Sequence, residues 1–510
     1  MNGGAVNGGA VNGRRAAGPT YVGVDIGTSV IKAALFDGNG EQRALRTAPA
    51  RVVNPREGWF EQDMDEVLAA VGEVVRALVD GQDGGAGDPP ALLALTGQGD
   101  GVWLLDGEGR AVRPAVSWLD ARAAGIADGW RADGTTEAVF RRTGGAMFPG
   151  CPAPVLAWFD RHEPDVLDRS VTAAYCKDMV MQRLTGVRAT DTSDASLPFL
   201  DPVTRDYAPD VLEWCGLGHR ADLLAPVAEP LPTGTLTAEG AALVGLPVGT
   251  PVSAGPFDLP ACALGSGLAA TSGDGHLIVG TTLACQVAVA ELQPGGEPAG
   301  LTIPLGPDRW LRSMPAMVGT AALDWTLKLV GRTHDDVDPL LATGEPGAHG
   351  VRCLPYFSPA GERAPFVESG ARARLDGLTV QTSTADVVRA VCEGIAFAAR
   401  HCFEAAGLEG EVAVCGGGIR SREWLRLFAD ALGRPVRVSA CPEVGAYGAV
   451  LAGIAATGLP VDTAAWARDR AADTTVVNPG EGPAKRYAEE YERYRAAVDR
   501  ARTEWKERQV

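Results

Sequence analysis

Apolar residues recur along this chain with two different periods, and the alternation between them sets out its elements. In TYVGVDIGTSVIKAALFDGNGEQ, residues 20–42, Val22, Val24 and Ile26 alternate with polar or small positions before a Gly-Thr-Ser turn, and Ile31, Ala33 and Leu35 do so after it. That predicts two paired strands, with Asp37-Gly38-Asn39-Gly40 closing the next hairpin. MDEVLAAVGEVVRALVDG has helical spacing, and ALLALTGQG reads as a buried strand; the low-complexity loop GQDGGAGDPP separates them. A similar hairpin returns at DGHLIVGTTLACQVAVAE, residues 274–291, around Gly280-Thr281-Thr282, followed by a helix at GTAALDWTLKLVG. Further on come a long amphipathic helix, TADVVRAVCEGIAFAARHCFEAAG, the strand EVAVCGGG, the helix SREWLRLFADALG and the strand PVRVSA. This is α/β alternation. PAKRYAEEYERYRAAVDRARTEWKERQV reads as a charged amphipathic helix that packs along one side. Two strand–Gly-Thr–strand units about 250 residues apart imply a duplicated architecture in which each half gives one loop to a shared cleft.

Composition narrows the class. The chain has 510 residues, well beyond one core of roughly 100–200, so two or more large domains are expected. Hydrophobic residues make up 46% and charged residues 22%, with no apolar run near the roughly 20 residues of a membrane span. A soluble, cytoplasmic, enzyme-sized protein follows. A formal charge of −18 argues against a nucleic-acid surface. It leaves room for ATP, which backbone N–H groups and Mg²⁺ can hold locally. The ten cysteines occur singly, with no C-x-x-C, and read as reduced packing residues; six isolated histidines offer no structural zinc site. The repeated NGGAV unit near the N-terminus lacks an apolar core and reads as a flexible tail.

The chemistry concentrates in a few loops. In AGPFDLPACALGSG, residues 254–267, Asp258 is the one carboxylate. Pro260 suits the first turn of a helix, so Asp258 reads both as its N-cap and as a working acid, and one residue can serve as both. The Gly-Thr turns can present N–H groups and hydroxyls to an anion, and Asp25 stands at the end of the first strand. CGGGIRS, residues 415–421, is either a tight strand-to-helix loop capped by Ser421 or a platform on which a nucleotide lies flat. No Gly-Lys pair occurs, so there is no Walker A loop; the kinase H-R-D loop and G-x-S-x-G are also missing. GSGLAA follows a helix-like segment and lacks the Rossmann context.

DIGTSVIK, GWFEQD, TGQGDG, WLDARA, CKDMVMQRLTG, GPFDLPACALGSG, VGTT and GGGIRSREWLRLFADALGRPV occur in the order seen in the FGGY carbohydrate kinases, a family of the sugar kinase/actin/Hsp70 superfamily, which the chain resembles over roughly residues 20–500. The resemblance implies an α/β fold of two actin-like, ribonuclease H-like domains around a cleft. The expected division is a tail at 1–19, a sugar-binding domain at 20–257, an ATP-binding domain at 258–483 and a C-terminal helix at 484–510. It implies that Asp25 holds Mg²⁺ through water, that Gly27, Thr28 and Ser29 face the γ-phosphate, and that Gly280, Thr281 and Thr282 form the second phosphate loop. Gly319 and Thr320 would line the adenosine pocket, and Gly417 and Ser421 would meet the adenosine. Asp258 aligns with the family's general base.

Two departures bear on the substrate. Val30 stands where members commonly carry a third hydroxyl residue. Gly99 and Asp100 replace the Met-His pair that touches sugar in xylulose kinases. The GQGDG block, WLDARA, and KD…LTG followed by TDTSDAS look most like the branch of erythritol, L-xylulose and 3-keto-gulonate kinases, which makes Gln98, Asp100 and Asp120 candidate acceptor contacts beside Asp258; the alternative is that they cap turns around a strand end, a reading that fits Asp120 better than Asp100. Trp59 reads as a core residue or a wall of the sugar site. The expected activity is ATP- and Mg²⁺-dependent phosphorylation of a primary hydroxyl on a C4–C5 polyol or ketose. Alternatives are a kinase recruited to a biosynthetic pathway for an unusual sugar or cyclitol, and an actin- or Hsp70-like ATPase switch. Partners are a small sugar or polyol, with no nucleic acid or membrane, and a homodimer is allowed.

Overall fold

The alternating segments pair as expected in the computed structural model, which describes residues 18–80, 88–268, 272–292, 295–306, 308–439, 441–472 and 474–507. Nearly all of the expected tail, and residues 81–87 of the low-complexity loop, lie outside them.

The first sheet is built from β1 (Tyr21–Ile26), β2 (Val30–Phe36), β3 (Gln42–Pro49), β4 (Leu92–Gly97), β5 (Thr233–Thr235) and β6 (Pro251–Ala254) in the order β5-β6-β4-β1-β2-β3. β1, β2 and β3 form an antiparallel meander, and β4 and β6 continue the sheet parallel to β1. Val22, Val24 and Ile26 are buried, as the period-two pattern requires. The helix α1 (Met64–Asp80) buries Val67, Val71, Val74, Val75 and Leu78, the stripe its spacing predicts.

The second sheet repeats this plan. It contains β7 (Gly275–Val279), β8 (Leu283–Val289), β9 (Leu301–Pro304), β10 (Trp310–Ala316), β11 (Val412–Cys415), β12 (Val436–Val438) and β13 (Thr475–Val477), ordered β9-β10-β8-β7-β11-β12-β13. β7, β8 and β10 are the antiparallel set, and β11 and β12 run parallel to β7. Each sheet therefore places one tight Gly-Thr turn at the end of its central strand, beside a parallel neighbour.

Four helices join the halves to the site. They are α2 (Cys176–Thr185), α3 (Asp258–Gly265), α4 (Thr320–Leu329) and α5 (Thr384–Ala406). Past them lie α6 (Arg422–Leu432), α7 (Val444–Thr457) and α8 (Glu481–Glu507). α7 packs on β1, β4 and β6 of the first sheet, and α3 lies directly against α7. Small residues make that contact possible: a Cβ at Gly265 would fall 1.9 Å from the Val444 carbonyl oxygen, and one at Gly448 1.9 Å from that of Ala261. Of the small residues expected to pack behind Asp258, Ala261, Ala263 and Gly265 are buried. Gly267 is exposed, with φ +76° and open space around it, because it serves the turn that ends the helix.

α8 is less separate than its charge suggested. Tyr487, Tyr491, Tyr494 and Trp505 enter the same core as the second sheet and α5, and the Tyr494 hydroxyl lies 2.9 Å from that of Tyr356. None of the ten cysteines is in a disulfide, and nine of them are buried. Among the described residues no helix is long and apolar enough to cross a membrane.

Candidate active site

The two Gly-Thr turns face each other. Thr28 and Ser29, after β1, and Thr281 and Thr282, after β7, line one cleft of about 620 Å³ together with Gly319 at the start of α4. Ser29 and Thr281 are exposed to it. Gly319 is required by proximity: a Cβ there would sit 2.3 Å from the Thr281 carbonyl oxygen and 2.5 Å from the Thr282 Cα. The Thr320 N–H, in turn, donates to the Gly280 carbonyl at 2.9 Å. Loop and helix N-terminus thus form one continuous piece of backbone with donors at its rim.

Thr28 is more constrained than a free phosphate ligand. Its hydroxyl donates to Gln98 Oε1 at 3.0 Å and accepts from Trp118 Nε1 at 2.9 Å. The Gln98 amide donates to Gln62 Oε1 at 2.8 Å, and Gln98 is buried. Gln98 therefore braces the first loop and turns no free polar group to an acceptor. Asp120 likewise leaves the acceptor set. Its Oδ1 accepts from the backbone and Nε of Arg122, its Oδ2 from the Phe60 N–H and Arg122, and it is buried. The turn-holding alternative accounts for it, with Trp59 lying 4.0 Å from the Arg122 guanidinium as a wall of that ion pair.

On the adenosine side, Gly417 is exposed on a short 3₁₀ turn after β11. Gly416 before it has φ +101°, and a Cβ there would meet the Val279 carbonyl at 2.6 Å, so this loop abuts the second phosphate loop. Ser421 is the N-cap of α6: its hydroxyl accepts from the Trp424 N–H at 3.0 Å and donates to Asp338. Capping, the alternative weighed for CGGGIRS, uses that hydroxyl.

Asp258 is the first residue of α3. Phe257 occupies the N-cap position and there is no side-chain cap, so the capping role expected of Asp258 is not what the structure shows. The Phe257 N–H is instead held by Ser193 Oγ at 3.0 Å, and Ser193 donates to Asp191 Oδ2 at 2.8 Å. Asp191 reaches the fully buried Lys177 of α2 at 3.1 Å, which also contacts Asp178 at 2.6 Å and Asp194 at 2.9 Å. The KD and TDTSDAS blocks thus form a buried ionic network behind GPFD. Gly99 has a matching reason: a Cβ there would fall 2.8 Å from the Phe257 ring.

The charges of two other carboxylates, Asp25 and Asp100, reach Asp258. Burial raises Asp258 to about 8, with the charges of Asp25 and Asp100 adding to it and the Leu259 N–H opposing it. Burial raises Asp25 to about 6 against the pull of Lys32. Burial raises Asp100 to about 7 against the pull of Arg363. Oδ1 of Asp25 and Oδ1 of Asp100 are buried without a hydrogen-bond partner, and Asp100 adopts φ +58°, unusual for a residue with a side chain. Lys32, on β2 opposite Asp25, is tied at 2.9 Å to Glu443, which precedes α7. Sequence reasoning did not single out Lys32, Glu443, Lys177 or Arg363. DIGTSVIK and CKDM contain two of them, but their partners lie far along the chain.

Comparison with known proteins agrees with this geometry. The model of the FGGY carbohydrate kinase N-terminal domain matches residues 20–265, and that of the C-terminal domain residues 276–457. The chain is 35% identical to an erythritol kinase of Brucella abortus, covering 87% of this chain and 88% of that one. It is 34% identical to a xylulose kinase of Escherichia coli, covering 86% and 90%. A crystal structure of xylulose kinase from Rhodospirillum rubrum superposes with a TM-score of 0.83 at 28% identity over 95% of this chain and 99% of that one. With both domain models matched in order along two facing halves, the chain belongs to the FGGY family of carbohydrate kinases, with the family's actin-like two-domain fold and ATP as its phosphate donor.

Proposed function

We propose that this kinase transfers the γ-phosphoryl group of ATP to a primary hydroxyl of a C4–C5 polyol or ketose, with Asp258 as general base. The observation that carries this is the place of Asp258 at the first position of α3, near enough to Asp25 and Asp100 for the charge of each to raise its proton affinity. Asp25 is on β1, which runs into the first phosphate loop, and Asp100 follows β4, the parallel neighbour of β1. Similarity to erythritol and xylulose kinases supports the acceptor size.

A sugar hydroxyl is a weak nucleophile until its proton has somewhere to go. In the proposed step the acceptor O–H proton passes to an Asp258 carboxylate oxygen. The acceptor oxygen bonds to the γ-phosphorus while the bond from that phosphorus to the bridging oxygen breaks, and ADP leaves. A base near 8 is matched to neutral operating conditions better than a free carboxylate at 3.8. Most of the rate should come from alignment by the backbone of Gly27–Ser29 and Gly280–Thr282.

Asp25 suits hydrated Mg²⁺. Its Oδ1 is buried and unpartnered, and among the described residues no group of three or more ligating side chains forms a dedicated cage. Mg²⁺ is commonly held in this way, by one or two carboxylates, water and substrate phosphates. When bound, the ion neutralises charge developing on the phosphates. Lys32 holds the Asp25 side of the cleft against Glu443 of the other domain.

A coupled ADP-release assay over erythritol, xylitol, D- and L-xylulose, ribulose, glycerol and cyclitols tests the reading. Stimulation greatest with a four- or five-carbon acceptor is expected. Stimulation by cyclitols alone would transfer the assignment to that class, and stimulation by none would remove it.

A further inference from the structure

Arg363 belongs to the second half of the chain, yet its guanidinium lies over two rings of the first. It stands 4.7 Å from the Phe148 centroid and 5.1 Å from that of Trp118. Trp118 is the residue that donates to Thr28 of the first phosphate loop. Arg363 is also held from behind. Its Nε donates to the Pro315 carbonyl at 2.9 Å at the end of β10. The neighbouring Glu362 carboxylate accepts the backbone N–H groups of Met317 at 2.7 Å, Arg363 at 2.8 Å and Ala364 at 3.3 Å. This fixes the stem and leaves the fork of the guanidinium over the Trp118 and Phe148 rings of the first half.

Asp100 faces it. The guanidinium is near enough to pull the Asp100 carboxyl down against burial, yet among the described residues no hydrogen bond or ion pair joins the two. Asp100 Oδ1 is buried without a partner, and the terminal nitrogens of Arg363 find none among the described residues. Two opposite charges on rigid supports, one in a left-handed backbone conformation, stay unjoined, with an unpartnered acceptor on one and unpaired donors on the other. A plain structural ion pair would join them.

We propose that Arg363 is a specificity-determining residue of the acceptor site, its guanidinium donating to one oxygen of the polyol or ketose while Asp100 accepts a hydrogen bond from a neighbouring hydroxyl. This rests on the reading of Asp258 and Asp100 as the acceptor side of the cleft. It requires two adjacent oxygens on the acceptor, remote from the hydroxyl phosphorylated. It also makes domain closure a condition of recognition, because the two grips come from different halves.

The experiment uses the full chain and the acceptor of highest turnover in ADP release, with Arg363→Met, Arg363→Lys and Asp100→Asn. Losing a hydrogen bond to a charged group predicts an acceptor KM raised about tenfold or more in Arg363→Met, with the ATP KM within about twofold of wild type. An acceptor deoxygenated at one of the gripped positions should lose little further when Arg363 is replaced. Arg363→Lys, which keeps the charge and folding but not the fork, should fall between. An unchanged acceptor KM in Arg363→Met, with a lowered Tm in the absence of ligand, would overturn the proposal and leave a domain latch. If wild type turns over no polyol or ketose, the acceptor-site reading falls and this inference with it; if wild type is active and Arg363→Met equals it, this inference alone falls.

Discussion

Asp25, Asp100 and Asp258 are each held above the ordinary carboxylate value, to about 6, 7 and 8, and this carries a stability consequence. Between about 4 and 8 the folded chain keeps protons on these groups that the unfolded chain has lost. Their contribution is therefore fully present below about 4 and drains away as pH rises through 8. The unliganded protein should lose thermal stability from pH 5 to 8, and Asp258→Asn should flatten that decline and raise Tm at pH 8; thermal unfolding at several pH values checks it. Equal slopes in the two proteins would show that Asp258 is not held protonated. An enzyme that gains stability by losing a working acid is a common trade. Asp258 and Asp25 were legible in the sequence because each sits in a short motif at a turn. Glu443, the partner of Lys32, was not, because it stands 411 residues away and no local pattern announces a contact made only by folding. Asp120 and Gln98 were legible as polar residues near the site, but not as saturated ones. Only the positions of Arg122, Gln62 and Thr28 decide that.

Among the elements, α2 and α3 carry the largest structural risk. Lys177 is wholly buried among Asp178, Asp191 and Asp194, and Asp191 passes its hold through Ser193 to the N-terminus of α3. Removing the lysine leaves buried carboxylates uncompensated, so Lys177→Met should destabilise the fold by about 3–5 kcal/mol in urea unfolding. The contact of α3 with α7 depends on missing side chains. Gly448→Val puts a carbon where only 1.9 Å separates it from the Ala261 carbonyl oxygen, and should destabilise by about 3 kcal/mol as the helices are forced apart. Gly129→Ala, at an exposed position of the helix Ala124–Ala132 with open space around it, should instead gain about 0.5–1 kcal/mol. The strands and helices themselves were readable from period two and period 3.6, because each has one buried face. Their mutual approach was readable only as a hint in the small residues of PACALG. Gly267 looked the same in sequence and proved to be a turn residue.

In the whole molecule, duplication is the organising fact. Two sheets of the same strand plan bring two Gly-Thr turns to one cleft, and α7 of the second half packs on the sheet of the first. The repeated hairpin made that plan legible at the start, whereas the Arg363 crossing and the entry of α8 into the second core were not, since both depend on how distant segments dock. Asp258, at the centre of this arrangement, is proposed to take the acceptor's proton and not merely to shape the cleft. Comparing wild type with Asp258→Asn tests this most directly, with nucleotide binding measured by calorimetry and acceptor-stimulated ADP release measured on the same preparations. Unchanged ATP affinity with release slowed by about 10²–10⁴-fold in the variant is the expected result. Wild-type turnover by Asp258→Asn would show that this carboxylate is not the base.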